Sequence, residues 1–444
     1  MNPRLRAITI LWVICIPLGS VSIVLSADVD AAFNSARQAF LRQMKAKQIE
    51  TRVQAVETFA RSPSPQVLEV LLKRGLTETE PAVRLAVRKA LRSMGSDIAT
   101  NRSFTSEFVR YSKRPDHDEM LSGFLGGMVA SRDEKRIDEV INTLDDYIDS
   151  PKGRLIVPIS LIDDLGIEGG AEAVRTISVL SRAKPFESQF GYRRCVVQAL
   201  SRIQDPAAIG FLVEMLPSSN GLVQAEIIEH LTRTTQQKFK DNDRLWTEWW
   251  AANKVSFQFP AAVADGDEID PAQSTYYGIP ICAKRVVFVL DTSVSMRGYP
   301  IEAAKVSLLK TIESLPESVN FDLVLFDKTA AVWQPRLLPA TVPTKQMAAQ
   351  TVIARGLGVG TCSHAALNAA FNLDPEVIYF LSDGEPTDSK VAQIIELMSE
   401  RNRTRRISIH TIGVVTQRGG GAGLTLFMKP LAEHNFGTFR LVDQ

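Results

Sequence analysis

The residues best suited to do chemistry lie late in the chain, in the run Asp291-Thr292-Ser293-Val294-Ser295. It offers one carboxylate and two hydroxyls on alternate residues, all hard oxygen donors. In an extended loop this spacing lets the three converge on a point. Hard oxygens without imidazole or thiolate select Mg²⁺, Mn²⁺ or Ca²⁺ over zinc or copper. Two further pieces carry the same chemistry: Ser382-Asp383-Gly384 at the end of an apolar run, and Gly360-Thr361 in a loop before a helical pattern.

The elements that must position these residues follow from the rhythm of the chain. From Arg285 onward, short β-branched runs alternate with amphipathic helices, the pattern of a doubly wound α/β domain. Strands are expected at Arg285–Leu290, Asn320–Phe326, Val332–Leu337, Val377–Ser382, Ile407–Thr411 and Thr438–Leu441. Helices are expected near Ile301–Ser314, Lys345–Ala354, His364–Asn372, Lys390–Arg401 and Thr425–His434. Strand–helix–strand crossings put every strand's C-terminal end on one rim. If the strands order as 3-2-1-4-5-6, the first and fourth adjoin at the topological switch point, where open α/β sheets place their ligands. Asp291, Ser293, Ser295, Thr361 and Asp383 then surround one crevice.

This constellation resembles the von Willebrand factor A domain with its metal-ion-dependent adhesion site, over about residues 280–444. The resemblance implies a Rossmann-like fold in which Ser293, Ser295 and Thr361 offer hydroxyls and Asp291 and Asp383 bind an ion partly through water. It also implies one open coordination position, filled by a Glu or Asp carboxylate of a protein partner. Mg²⁺ is the expected cofactor, with Mn²⁺ or Ca²⁺ as alternatives. Gly is frequent between the two serines of that motif, and Val294 stands there instead.

Neighbouring residues supply no obvious catalyst. His364, at a helix start, reads as a capping or packing residue, and Cys362 lacks an orienting acid at readable spacing. The glycine run Gly419-Gly420-Gly421-Ala422-Gly423 lacks both the phosphate-loop Lys-Ser/Thr and the dinucleotide spacing, so it reads as a loop. Arg401, Arg403, Arg405 and Arg406 read as a solvated helix end complementing the helix dipole. The chain is thus expected to bind rather than to catalyse. A metal-independent scaffold is the alternative, and a metallohydrolase a more distant one.

The 444 residues carry 51 basic against 50 acidic side chains, a formal charge of +1, which leaves no footprint for general nucleic-acid or anionic-membrane binding. Residues 1–27 pair Arg4 and Arg6 with an uncharged run from Ala7 to Ala27, long enough to span a bilayer. They read as a signal peptide, with ends at Ser26 or Ala27, or as an uncleaved anchor. The expected location is therefore the cell envelope or beyond: periplasmic, extracellular or membrane-anchored.

Residues 31–257 read as helix after helix. Arg52 to Leu72 and Tyr192 to Leu216 share a layout: an Arg-rich first helix, a short turn with Pro, and a second apolar helix. Such recurrence resembles HEAT-type repeats, which implies an all-α solenoid whose concave face holds a second protein. The stretch from Asn101 to Ser150 breaks the period, and a non-repetitive bundle stays open. Trp246, Trp249 and Trp250 fall on one helical face and are expected to close the last repeat. Residues 258–279 read as a linker, with Asp265, Asp267, Glu268 and Asp270 solvated. Beyond Cys15, the thiols Cys195, Cys282 and Cys362 form an odd set: either a Cys282–Cys362 bridge or three free thiols.

Overall fold

A computed structural model describes residues 18–111, 118–131, 134–149, 154–260, 274–415 and 421–443. The acidic cluster from Asp265 to Asp270, most of the export segment, and Gly419 and Gly420 lie outside the described residues. Two compact units divide between Ser131 and Arg132, inside the helical stretch.

In the first unit, helices Leu18–Gln43, Ile49–Ala60, Pro65–Thr77, Pro81–Ser93, Ile98–Tyr111 and Asp118–Ala130 follow one another. The Pro-containing turn is a helix start. Ser64 Oγ accepts from Val67 N at 3.2 Å while Pro65 takes the first helical position, where its missing N–H costs nothing. The core is apolar and aromatic, with Phe40 and Phe59 stacked at 4.6 Å. No helix among the described residues is long and apolar enough to cross a membrane.

The second unit begins with further helices through Asp243–Asn253, and the same start device recurs at Asp205-Pro206, where Asp205 Oδ1 accepts from Ala207 N at 2.8 Å. The described N-terminal region is thus helical throughout, as expected. Trp246 is fully buried and its Nε1 donates to Lys240 O at 2.9 Å. Trp249 and Trp250 are half-buried and pack on Phe257 with ring centroids at 6.3 and 5.4 Å.

A short hairpin of β1 (Thr275–Tyr276) and β2 (Ile279–Pro280) leads into the main sheet. That sheet comprises β3 (Arg285–Asp291), β4 (Asn320–Phe326), β5 (Ala330–Val332), β6 (Leu338–Pro339), β7 (Val377–Ser382), β8 (Ser408–Val415) and β9 (Phe439–Asp443). Its order is β5-β4-β3-β7-β8-β9, with β6 also on β4. The strands expected as first and fourth, β3 and β7, are parallel neighbours, Leu290 opposite Leu381. Both faces of β3 are buried: Val286, Phe288 and Leu290 enter one apolar cluster, Val287 and Val289 the other. A strand covered by helices on both sides reads as a continuous apolar run for this reason.

One expectation is corrected. The single third strand at Val332–Leu337 is replaced by two short ones, both antiparallel to β4, so the sheet is mixed and not every strand ends on the same rim. Only Asp327, Lys328 and Thr329 separate β4 from β5, too few for a crossover and enough for a hairpin.

Where β7 and β8 begin, the helices of this unit dock on the sheet through buried charge. Arg194, 2% exposed, donates to Ser408 Oγ at 2.8 Å and to Glu226 Oε1 at 2.6 Å, and also to Arg406 O. Arg406, 3% exposed, bonds Asp163 and Gln198, and the two guanidiniums lie over the Phe436 ring at 5.2 and 5.3 Å. The arginine run was expected to be a solvated helix end. Arg406 is instead a buried ion-pair member, because the helices carrying Asp163 and Gln198 cover it. Beside it, a Cβ on Gly191 would stand 2.0 Å from Thr404 O, so the close approach requires glycine.

Candidate functional site

At the opposite ends of β3 and β7 the strands deliver Asp291 and Ser382 side by side. Asp291 is fully buried; its Oδ1 accepts from Ser293 N at 2.8 Å and its Oδ2 from Ser382 Oγ at 2.6 Å. The first bond folds the chain back directly after the strand, an Asx-type turn that brings the following hydroxyls round. Ser293 Oγ lies 2.8 Å from Ser295 Oγ, and Ser295 Oγ donates to Asp383 Oδ1 at 2.9 Å. Asp383 is 2% exposed. Four of the five expected residues thus stand in one connected row.

Thr361 stands on the adjoining loop. Val294 N donates to Gly358 O at 2.8 Å and Gly358 N to Thr292 O at 2.9 Å, which zips that loop to the Asp291–Ser295 turn. Thr361 is nearly buried; its N–H donates to Thr387 Oγ1 at 3.0 Å and its carbonyl accepts from Thr387 N at 2.9 Å. Thr387 follows Asp383 by four residues, so the Thr361 loop touches both halves of the row.

The electrostatics of Asp291 are dominated by its burial. Burial pushes the Asp291 carboxyl up to about 6; hydrogen bonds from Ser382 and Ser293 pull it back in part, and the like charge of Asp383 raises it further. Among the described residues no Lys, Arg or His forms an ion pair with Asp291. Nor, among them, does a group of three or more His, Cys, Asp or Glu side chains gather that could hold a metal. The donor set is therefore two carboxylates with hydroxyls, which fits a hard divalent cation such as Mg²⁺ and does not fit zinc.

The nearby alternatives are committed elsewhere. His364 sits in the first turn of the helix Ser363–Asn372, with Nδ1 3.3 Å from Ser389 Oγ and its N–H on Asp388 Oδ1 at 3.3 Å. Cys362 Sγ donates to Lys328 O at 3.0 Å, and burial raises its thiol, which disfavours a thiolate nucleophile. No disulfide joins Cys195, Cys282 or Cys362, so the Cys282–Cys362 bridge does not form. Sequence reasoning named Ser382 only as the residue before Asp383 and gave it no role, although its place at the end of β7 beside Asp291 followed from the strand order. It also missed Thr387, for which no spacing signal exists.

Residues 284–437 match the family model of the von Willebrand factor type A domain, so the chain carries such a domain. Inter-alpha-trypsin inhibitor heavy chain H1 of Mesocricetus auratus is 32% identical over 145 residues, 30% of this chain and 16% of that protein. Heavy chain H4 of Homo sapiens is 32% identical over 151 residues, again 30% and 16%. The chain spans about a sixth of the length of these curated relatives. Among solved structures, a von Willebrand factor type A protein from Catenulispora acidiphila aligns with a TM-score of 0.33 and 19% identity, over 37% of this chain and 40% of that one.

Proposed function

We propose that the von Willebrand factor A domain of this chain is a divalent-cation-dependent protein-binding module of the cell envelope. The observation that carries the reading is the row Asp291, Ser293, Ser295 and Asp383, buried but for the half-buried Ser295, with two carboxylates bridged by hydroxyls where β3 and β7 end together. Asp291, Ser293, Ser295, Thr361 and Asp383 would hold the ion, Mg²⁺ before Mn²⁺ or Ca²⁺. Bound there, the cation supplies the positive charge that recognises a Glu or Asp carboxylate on a partner. The chain's own part is positional. Ser382 orients Asp291, the Asx-type turn presents the two serines, and Thr387 holds Thr361 from behind. Binding rather than turnover is favoured because the nearest imidazole is tied to Ser389 and the nearest thiol is raised.

A second protein on the helical half belongs to the same proposal, as does the HEAT-like stacking of its helices. A groove of about 500 Å³ lined by Val174, Phe211, Trp250 and Lys254 supports it. The envelope location rests on the charge and hydropathy of residues 1–27.

The test is pull-down from envelope extract by the full chain, with Mg²⁺ and with a chelator. Capture is expected with Mg²⁺ only, and Asp291→Ala should lose both Mg²⁺ affinity and capture while keeping its circular dichroism spectrum. Undiminished capture in chelator would overturn the reading in favour of a metal-independent scaffold.

A further inference from the structure

Behind the row, one ion pair reaches both the Asp291–Ser295 turn and the Thr361 loop. Arg355 follows the helix Val342–Ala354, whose end is fixed by Lys305 Nζ donating to the carbonyls of Ile353 and Arg355 at 3.3 and 2.8 Å. Its guanidinium forks: Nη2 donates to Asp327 Oδ2 at 2.9 Å and Nε to Thr292 Oγ1 at 3.2 Å. Thr292 lies between Asp291 and Ser293, fully buried, with its N–H and Oγ1 both donating to Phe326 O at 2.7 and 2.9 Å.

Asp327 carries the second arm. Its carbonyl accepts from Cys362 N, the residue after Thr361, at 2.7 Å. Its carboxylate lies against Gly358, where a Cβ would stand 2.0 Å from Oδ2. Gly358 is the residue whose backbone zips the Thr361 loop to the Asp291–Ser295 turn. The other carboxylate oxygen accepts from Thr329 N at 3.0 Å and Thr329 Oγ1 at 3.3 Å, so both oxygens are engaged inside the protein. The side chains are 24% and 13% exposed, covered but not sealed.

We infer that Arg355 and Asp327 form a positioning pair that sets the Thr361 loop in register with the Asp291–Ser295 turn. This rests on the cation reading above. Neither residue is a ligand: a guanidinium offers donors only, and Asp327 is spent on Arg355 and Thr329. Second-sphere partners of this kind tune metal affinity by fixing the first sphere. A purely electrostatic role is the rival, in which Asp327 merely cancels a positive charge near the cation. The two differ in the charge-balanced double variant.

The experiment uses the full chain stripped in chelator, with Arg355→Met, Arg355→Lys and Asp327→Asn/Arg355→Met. It reads Mg²⁺ affinity by calorimetry and amide hydrogen exchange over residues 358–362 in chelator. All three variants should bind Mg²⁺ about tenfold or more weakly, and exchange at Gly358 and Cys362 should accelerate without metal. Recovery of wild-type affinity in the double variant would overturn the positioning role, as would unchanged exchange in Arg355→Met. Should the wild-type chain take up no Mg²⁺, the cation reading falls, while the exchange measurement still decides the pair.

Discussion

The two ends of the central sheet bury charge in opposite ways. Where β7 and β8 begin, Arg194 and Arg406 meet Glu226 and Asp163, and Glu376 takes the N–H groups of Lys284 and Leu222 at 3.0 and 3.4 Å. Each buried charge there is answered from within the chain. Where β3 and β7 end, Asp291 meets only hydroxyl and amide donors, and its neighbour Asp383 adds charge of the same sign. At the end where β3 and β7 finish, Asp291 has no cationic partner among the described residues, and that contrast is what the proposed cation-binding role rests on.

The contrast breaks most visibly through Arg194. Arg194→Met strands Glu226 beside an apolar side chain and should cost about 3 kcal/mol in urea unfolding followed by tryptophan fluorescence, with the same loss in Mg²⁺ and in chelator. A Mg²⁺-dependent loss would mean the two ends are not separate. Asp291→Asn should do the reverse. In chelator at neutral pH it removes a buried like charge and should gain about 1 kcal/mol, while the stabilisation of wild type by Mg²⁺ disappears. A loss comparable to that of Arg194→Met would show that Asp291 is a structural residue like those at the far end.

Another buried carboxylate sharpens the comparison, because it belongs to neither end. Burial pushes Asp322, within β4, up to about 7, against the pull of N–H donors from Leu323 at 2.6 Å and Gln334 at 3.2 Å. Its Oδ2 has no partner among the described residues. Between the unfolded value of about 4 and 7, the folded chain keeps a proton that the unfolded chain has lost, so this group's stabilisation declines as pH rises through that window. Asp322→Asn should therefore match wild type near pH 4 and exceed it by about 1 kcal/mol at pH 8. Equal stability at both pH values would show that the carboxyl is not held neutral.

How much of this was legible in the sequence divides along physical lines. Asn320–Phe326 and Val377–Ser382 coincide with the expected strands, because a strand buried on both faces is mostly apolar, Asp322 being the exception, and turn residues bound it. The row Asp291, Ser293, Ser295 was legible because it is local, set by alternate spacing after a strand. The third strand was not: Trp333 and Leu337 read as strand-like, but Pro335 interrupts the stretch and the Asp327–Thr329 turn had already reversed the chain. Least legible were the long-range polar partners. Nothing at Arg406 announces Asp163, and nothing at Arg355 announces Asp327, since a charged residue looks the same in one dimension whether water or a carboxylate surrounds it.

The arginine cluster at the far end also decides where the chain can be cut. The usual choice for a bait would be a fragment starting near Ser274, just ahead of the sheet. Such a fragment would lack Asp163, Gln198 and Glu226, turning Arg406 and the Phe436 ring out to solvent and leaving Glu376 without its contact to Leu222. It would present a new sticky, positively charged surface and capture partners the intact chain never meets. Fishing for the natural partner calls for a bait that begins before Ile156.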